Sequence, residues 1–279
     1  MKRWFLRVVV AAGLAGIAGA ALAQQSGLPP QLLENVQPLQ GDTIRFCIDR
    51  FSTGAEFDKS VSQAIADALL VKAKFVDAPT GFPLDGQGYL DELQLTMNED
   101  CDVLAGISIL PDTGTPQYPD WATVTRPYAE VPFVLVTTDK NYKNLGDIEP
   151  GKTVGVMIGS LGQGVVLTYN EQVGEAKRLK YLPYADPKLM LKRLLDGHLV
   201  AMVIWQPQLN MITDNEPKAE GLLTIPLDPL PAINVSVGDL VSSRDSYLRT
   251  QLDNAIGSLI ADGTIAKLMQ EHGYSGTPG

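Results

Sequence analysis

Histidine, cysteine and serine carry much of the chemistry that proteins perform, and this chain has no recognisable catalytic arrangement of them. It contains two histidines, His198 and His272, and both are expected to be structural or solvated. No G-x-S-x-G, H-E-x-x-H or C-x-x-C motif is present, and GSLGQG at 159–164 matches neither a dinucleotide-binding nor a phosphate-binding loop. No pair of carboxylates stands out as an acid–base pair. The sequence therefore predicts no catalytic residue, no metal site and no cofactor.

One turn does offer a binding chemistry. TVGVMIGS at 153–160 leads a predicted strand into a turn just before a predicted helix. Backbone N–H groups at a helix start are free and lie at the positive end of the helix dipole, so Gly159 and Ser160 could bind a carboxylate or another anion. Ser160 could equally well only cap the helix. From the sequence both interpretations stay open.

The other candidate binding residues lie in loops that follow predicted strands, where ligands bind in open α/β sheets. Trp205 ends an apolar strand, so packing in the core is its alternative. Arg126 could bind an anion or pair with a surface acid. Trp121 and Tyr128 could form an aromatic wall, or could pack the long loop at 111–125 against the protein. The complete set of candidates is Phe51, Glu56, Ser108, Thr113, Trp121, Arg126, Tyr128, Gly159, Ser160 and Trp205.

The N-terminus predicts export to the periplasm. Three cations among the first seven residues precede an apolar run at 8–23, which ends in an A-x-A pattern at 21–23, as signal peptides do. A membrane-spanning helix is the alternative, but such a helix needs roughly 20 strongly apolar residues. This run is shorter and is rich in alanine and glycine. Cleavage after Ala23 is therefore expected.

The charge of the chain argues against two kinds of partner. The sequence has 22 Lys and Arg against 32 Asp and Glu, and three of the cations lie in the predicted signal peptide, so the mature chain would carry a net charge of −13. So acidic a protein is not attracted to nucleic acid or to an anionic membrane. The charge could attract a basic protein, or could only keep an exported protein soluble.

The two cysteines are Cys47 and Cys101. An even number of cysteines in an oxidising compartment predicts a disulfide bond. A bond closing a loop of that length would stabilise the fold by about 4 kcal/mol in the chain-entropy model. Two separate buried thiols are the alternative.

Apolar periodicity predicts strands that alternate with helices, which indicates an α/β fold with parallel strands. Phe57, Val61, Ile65 and Leu69 recur every four residues and predict a helix face. Further helices are expected at 88–100, after Ser160, at 188–197 and twice at the end of the chain, where Thr264 could cap the last helix. The predicted strands lie at 43–49, 73–78, 101–109, 128–138, 153–158, 199–205 and 232–242.

Two similar α/β units in series, followed by a helical return, predict two lobes around a cleft. The β-rich runs near 131–138 and 233–241 are the natural crossings between the lobes, and two crossings allow hinge closure. The expected organisation is a signal peptide at 1–23, a flexible leader at 24–40, a first lobe at 41–137, a second lobe at 138–236 and a return to the first lobe at 237–279.

Four motifs carry a family resemblance: CDVLAGISI with TRPYAEVPFVLVT, LGDIEPGKTVGVMIGS, LLDGHLVAMVIW and GTIAKLMQEHGY. With them the chain resembles periplasmic solute-binding protein family 3, whose members serve ABC transporters for polar amino acids. The resemblance spans most of 43–275. It implies a type II periplasmic binding protein fold with two lobes and two hinge crossings, and no catalysis.

Two positions depart from the amino acid binders of that family. Those proteins usually place an arginine, which clamps the ligand carboxylate, where this chain has Thr113. They usually end the strand at 199–205 with an aspartate that holds the ligand ammonium, where this chain has Trp205. A buried charge without a partner is strongly destabilised. The resemblance with these departures therefore predicts a ligand other than a standard amino acid.

A narrower resemblance is to the quinoprotein dehydrogenase-associated MxaJ/XoxJ-like group. It rests on a cysteine in the first strand, GYL at 88–90, CDV at 101–103, TRPY at 125–128 and the aromatic residue that closes VIW. The loop after Asp49 departs from the proline-rich loop of that group. The resemblance implies an accessory protein for the maturation or activation of a PQQ-dependent methanol or alcohol dehydrogenase. The alternative is the substrate-binding component of an ABC transporter, with a permease as partner, for a small organic solute.

Overall fold

The computed structural model describes residues 41–50, 52–78, 86–109, 118–217 and 221–279, without the side chains of 86–90. The predicted signal peptide at 1–23 and leader at 24–40 lie outside the described residues, as do two candidate site residues, Phe51 and Thr113.

Parallel strands with crossover helices form the first half of the sheet. Its elements are β1 (Thr43–Ile48), α1 (Ala55–Ala68), β2 (Lys72–Asp77), α2 (Gly86–Glu99), β3 (Val103–Ile109) and β4 (Ala122–Val124). β1 pairs in parallel with β2 on one side and with β3 on the other. Phe57, Val61 and Ile65 of α1 are buried, because their four-residue spacing places them on the face of the helix that meets the sheet.

The second half repeats this plan. Its elements are β5 (Ala129–Thr137), β6 (Thr153–Met157), α3 (Leu161–Gln172), β7 (Lys180–Tyr184), α4 (Pro187–Leu195), β8 (Ala201–Trp205), α5 (Gln206–Ile212) and β9 (Leu223–Ile225). β6 lies between β7 and β8 and is parallel to both. β5 runs antiparallel to β8 and β9.

The chain then returns to the first half. The returning elements are β10 (Asn234–Ser242), α6 (Ser246–Ala261), α7 (Thr264–Glu271) and β11 (Thr277–Pro278). β10 is antiparallel to β3 and β4, while α6 and α7 pack against α1. The prediction that the Thr264 side chain caps α7 is wrong. The N-cap is Gly263, which makes no side-chain bond and has φ +84°, a backbone conformation that favours glycine.

Two strands connect the halves. The sheet order is β2-β1-β3-β10-β5-β8-β6-β7. Residues 129–132 of β5 pair with β10, and residues 133–136 pair with β8. The two long runs that predicted crossings between lobes are therefore β5 and β10, and they lie side by side at the junction.

Each half has its own apolar core. The first-half core includes Phe46, Phe57, Val131 and Leu252. In the second half, two cores cover the opposite faces of the sheet, one around Val203 and the other around Met202. Within the described ranges, no helix is both long and apolar enough to cross a membrane.

A disulfide and a buried ion pair fix the end of α2 to β1. Cys47 of β1 is bonded to Cys101, and both residues are fully buried, so the predicted bond is present. Next to it, the Arg45 guanidinium donates to both carboxylate oxygens of Asp102 at 3.2 and 2.7 Å, and to the carbonyl of Glu99 at 2.6 Å. Such a bidentate pair holds one defined geometry.

The end of α1 gives a stability prediction. The N–H groups of Leu70 and Val71 donate to the carbonyls of Asp67 and Ala66, the pattern of a Schellman motif, in which the left-handed residue is usually glycine. Leu70 occupies that position with φ +57° and is 91% exposed. Leu70→Gly is therefore expected to raise the free energy of unfolding by about 1 kcal/mol, measured by urea denaturation.

Leu70→Ala is the matched control for that prediction. Alanine also removes the exposed apolar side chain but keeps Cβ, which is the source of the strain. If Leu70→Ala stabilises the protein as much as Leu70→Gly, apolar exposure rather than backbone strain explains the gain.

Candidate functional site

A cavity of about 310 Å³ lies between the start of α1, the helix α5 and the C-terminal tail, which is defined here as residues 272–279. Polar groups of opposite charge and several apolar side chains share its wall. Of the predicted site residues, Glu56 lines it. The lining residues are Arg50, Ser52, Thr53, Ala55, Glu56, Phe57, Pro207, Asn210, Met211, Asn215, His272 and Tyr274.

An aromatic cluster forms one side of this cavity. The ring of Phe57 lies 4.8 Å from that of Tyr274, 5.6 Å from that of His272 and 5.9 Å from that of Tyr128, measured between centroids. Nε2 of His272 is 3.1 Å from the hydroxyl of Ser60. Tyr274 is mostly buried, and burial raises the pKa of its hydroxyl. The cluster is therefore a packed aromatic wall, and His272 makes structural contacts with Phe57 and Ser60, as predicted.

Trp205 lies at the junction of the halves. It ends β8, is paired with Phe133 of β5, and its half-buried ring packs against the first-half core. Its indole N–H donates to the carbonyl of Val131 at 3.3 Å. An indole has one donor and no negative charge, so this position cannot balance an ammonium group.

The turn at Gly159–Ser160 bonds to its own helix. The Ser160 hydroxyl donates to the carbonyl of Met157 at 2.8 Å and accepts from the N–H of Gln163 at 3.3 Å. The N–H of Gly159 donates to the side-chain oxygen of Gln163 at 2.9 Å. These bonds are those of a capped helix start, similar to a capping box. The sequence left Ser160 as either an anion ligand or a helix cap, and these contacts are those of a helix cap.

Ser108 and Trp121 lie near β10, away from the cavity at α5. Ser108 is exposed on β3, opposite Val237, and its carbonyl accepts from the hydroxyl of Tyr118 at 3.0 Å. Trp121 is partly buried against the apolar cluster around the disulfide. The contacts of Trp121 are therefore those of a residue that packs its loop against the protein, which was the alternative to an aromatic wall.

Arg126 lies against α6, and Tyr128 lies in the first-half core. The backbone N–H of Arg126 donates to Asp253 of α6 at 2.7 Å, and its guanidinium lies over Gly257 of the same helix, where an added Cβ would be 2.3 Å from Nη1. Tyr128 has no exposed surface. Arg126 covers α6, and Tyr128 belongs to the first-half core.

Two fully buried carboxyl groups, which no sequence pattern singled out, lie beside Tyr128. Asp58 on α1 accepts from the Tyr128 hydroxyl at 2.7 Å. Burial raises the pKa of Asp58 to about 7, and this hydrogen bond opposes the rise. Burial, with Asp58 and Asp253 nearby, raises the pKa of Asp239 well above its usual value. Within the described part of the chain, neither carboxyl oxygen of Asp239 has a hydrogen-bond partner.

The fold makes room for Asp58 with a glycine. A Cβ added at Gly106 of β3 would lie 2.2 Å from Oδ2 of Asp58, and Gly106 has φ +79°. Among the described residues, no group of three or more His, Cys, Asp or Glu side chains could hold a metal ion.

The described candidates therefore fall into separate groups. Glu56 borders the cavity at α5, and Trp205 comes directly before that helix. Gly159 and Ser160 form a capped turn. Ser108 is exposed on β3, Trp121 packs against the cluster around the disulfide, Arg126 lies against α6, and Tyr128 is in the first-half core. Sequence reasoning missed Gln206 and Asn210, two buried amides of α5 that bond to the tail. Their spacing of four residues, directly after a predicted strand, was the sequence feature that could have indicated a polar helix face at this position.

No protein-family model matches the chain, and no curated protein matches it. Solved structures do match. Substrate binding domain 2 of GlnP from Lactococcus lactis, in its open conformation, has a TM-score of 0.64 and 17% identity, over 85% of this chain and 97% of that one. The L-cystine solute receptor of Neisseria gonorrhoeae has a TM-score of 0.61 and 19% identity, over 88% and 96%.

A third match is to an ancestral binding protein described as the precursor of an enzyme. The ancestral amino acid-binding protein AncCDT-1, a precursor of cyclohexadienyl dehydratase, has a TM-score of 0.51 and 17% identity, over 82% of this chain and 94% of that one. Identities this low establish the fold and not the ligand. Together with the shared strands β5 and β10, they show that the chain has the two-lobed α/β fold of type II periplasmic binding proteins.

Proposed function

We propose that this protein is an exported, non-enzymatic accessory or maturation factor for a PQQ-dependent methanol or alcohol dehydrogenase in the periplasm. Its signal peptide would be cleaved after Ala23. One lobe would comprise 41–137 and 237–279, and the other 138–236. In this role the space between the lobes receives part of a partner protein rather than a free solute.

The position of Trp205 carries the proposal. The side chain packs against the first-half core, and its indole N–H donates to the carbonyl of Val131. Amino acid binders of the resembled family usually hold the ligand ammonium at this position. Apolar and aromatic surface suits a protein partner better than a zwitterion, because aromatic residues are enriched in protein interfaces. The net charge of −10 for the whole chain favours a partner with basic surface.

Deletion and complementation test the accessory role. A strain that lacks the gene should lose most of its dye-linked methanol or alcohol dehydrogenase activity, and a plasmid copy should restore it. The dehydrogenase should also co-purify with the tagged mature protein. Unchanged activity in the deletion strain, together with a pull-down that lacks a quinoprotein, would contradict the proposal.

A transport receptor is the second candidate, and the cavity at α5 favours it. Its volume of about 310 Å³ and its wall of Arg50, Glu56 and aromatic rings suit a small organic molecule. The protein would then deliver a solute other than a standard amino acid to an ABC permease. A permease gene adjacent on the chromosome would favour this role, and a quinoprotein gene the first.

Thermal shift measurements address the ligand directly. The purified mature protein is expected to show no rise in Tm with glutamate, glutamine or arginine at millimolar concentration, because Trp205 has no negative charge with which to form an ion pair with the ligand ammonium. A ligand present at 100 times its Kd stabilises a protein by about 2.7 kcal/mol, which amounts to several degrees in a domain of this size. A rise of that size with any of the three refutes the prediction.

A further inference from the structure

The tail contacts the second half through two amide side chains. Oε1 of Gln206 accepts from the N–H and the hydroxyl of Ser275, at 2.9 and 3.1 Å. Nδ2 of Asn210 donates to the carbonyls of Gly273 and His272, at 2.9 and 3.3 Å. Both residues belong to α5, one turn apart, so a single face of this helix makes all of these bonds.

These bonds join two buried side chains of α5 to exposed or half-buried residues of the tail. Gln206 and Asn210 are 8% and 4% exposed. A buried amide that loses its partners is destabilising where water does not replace the lost hydrogen bonds. Movement of α5 away from the tail would therefore leave two polar groups unpaired, unless the junction opened widely enough to let water enter.

The other end of the tail is attached to the first-half end of β5. β11 pairs antiparallel with β5, with Thr277 opposite Glu130, and the N–H of Gly279 donates to the carbonyl of Tyr128 at 3.0 Å. The fit is close at Gly276, since an added Cβ would lie 1.8 Å from the carbonyl oxygen of Glu130. Only a residue without a side chain can occupy that position.

A third contact joins α5 to the same region. Trp205 is the N-cap of α5, and its indole N–H reaches Val131 of β5. The start of α5 is therefore attached to β5 directly through Trp205 and indirectly through the tail. A two-lobed protein that closes by hinge motion needs the lobes to rotate about the crossing strands, and these contacts link the lobes beside those strands.

We propose that residues 272–279 act as a strap, which holds α5 against the first half and keeps the two lobes at one angle in the absence of any ligand. The space between the lobes is then a preformed surface and not a trap that closes. This inference concerns the isolated protein and does not depend on the identity of its partner or solute.

Distance measurements between the lobes test the strap. Spin labels at Asn254→Cys on α6 and Lys192→Cys on α4 are both at exposed positions, while the native cysteines are disulfide-bonded and buried. Double electron–electron resonance on the mature protein should give one narrow distance distribution. The double variant Gln206→Leu, Asn210→Leu should broaden it at least twofold.

Gly276→Val is the second variant, since it displaces the tail from Glu130 without changing α5, and it should broaden the distribution as well. Asn170→Leu is the matched control. It removes an amide that bonds to both backbone groups of Leu179 within the second half, and it should leave the distance unchanged. A broad or two-peaked distribution in the unmodified protein overturns the proposal, as does a narrow one in both strap variants.

Discussion

Asp58→Asn is expected to gain about 4 kcal/mol of stability relative to the unmodified protein as the pH rises from 4 to 8. Burial raises the pKa of Asp58 from 3.8 to about 7 in the folded state. A raised pKa means that the folded state favours the protonated carboxyl. This contribution to stability is complete below pH 3.8 and is lost as the pH rises through 7. Asparagine resembles the protonated acid in shape, can still accept from Tyr128, and does not titrate.

Urea denaturation of both proteins at several pH values measures this difference. Subtracting the two curves removes the contribution of titrating groups that do not interact with Asp58. Asp239 is not removed, because Asp58 helps to raise its pKa. Asp67→Asn, at an exposed position on the same helix, is the matched control for the loss of one carboxyl group from α1. A pH-independent difference for Asp58→Asn would mean that folding does not raise the pKa of Asp58.

Replacing both cysteines with alanine is expected to lower the free energy of unfolding by about 4 kcal/mol. Cys47 and Cys101 are 54 residues apart in the chain, so their bond removes many conformations from the unfolded state. The bond also lies in an apolar cluster with Leu93, Met97 and Leu104, where loss of the sulfur atoms leaves unfilled space. Urea denaturation without reductant measures the change.

The reduced wild type separates these two effects. Once it has been reduced in denaturant and refolded under reductant, it keeps both sulfur atoms but lacks the bond. It should be nearly as unstable as the double alanine variant if the chain constraint dominates. A reduced protein that is nearly as stable as the oxidised one would show instead that packing, not the cross-link, provides most of the stability.

The alternating elements of the fold could be predicted because their apolar residues repeat regularly. The run at 199–205 contains β8, and the four-residue spacing from Phe57 marks the buried face of α1. β7 was missed for the opposite reason. It is an edge strand with four of its five residues exposed, and it contains Pro183, so neither alternation nor a continuous apolar run identifies it.

The site was harder to predict than the fold, because its residues meet only through distant parts of the chain. Gln206 and Asn210 are buried by residues that follow them by more than 60 positions, and no local pattern reports such a contact. Asp239 did have a local signal, since it is the only charged residue within β10. A lone acid in a buried strand is a reason to expect a perturbed carboxyl.

The position of β5 between the two lobes determines how the protein unfolds. Ala129 and Val131 belong to the first-half core, while Leu135 and Val136 belong to the two cores of the second half. Because one continuous strand contributes to all three, neither lobe can melt without exposing apolar surface of the other. We therefore expect denaturation to be a single cooperative event, in which no half-folded species with one intact lobe accumulates.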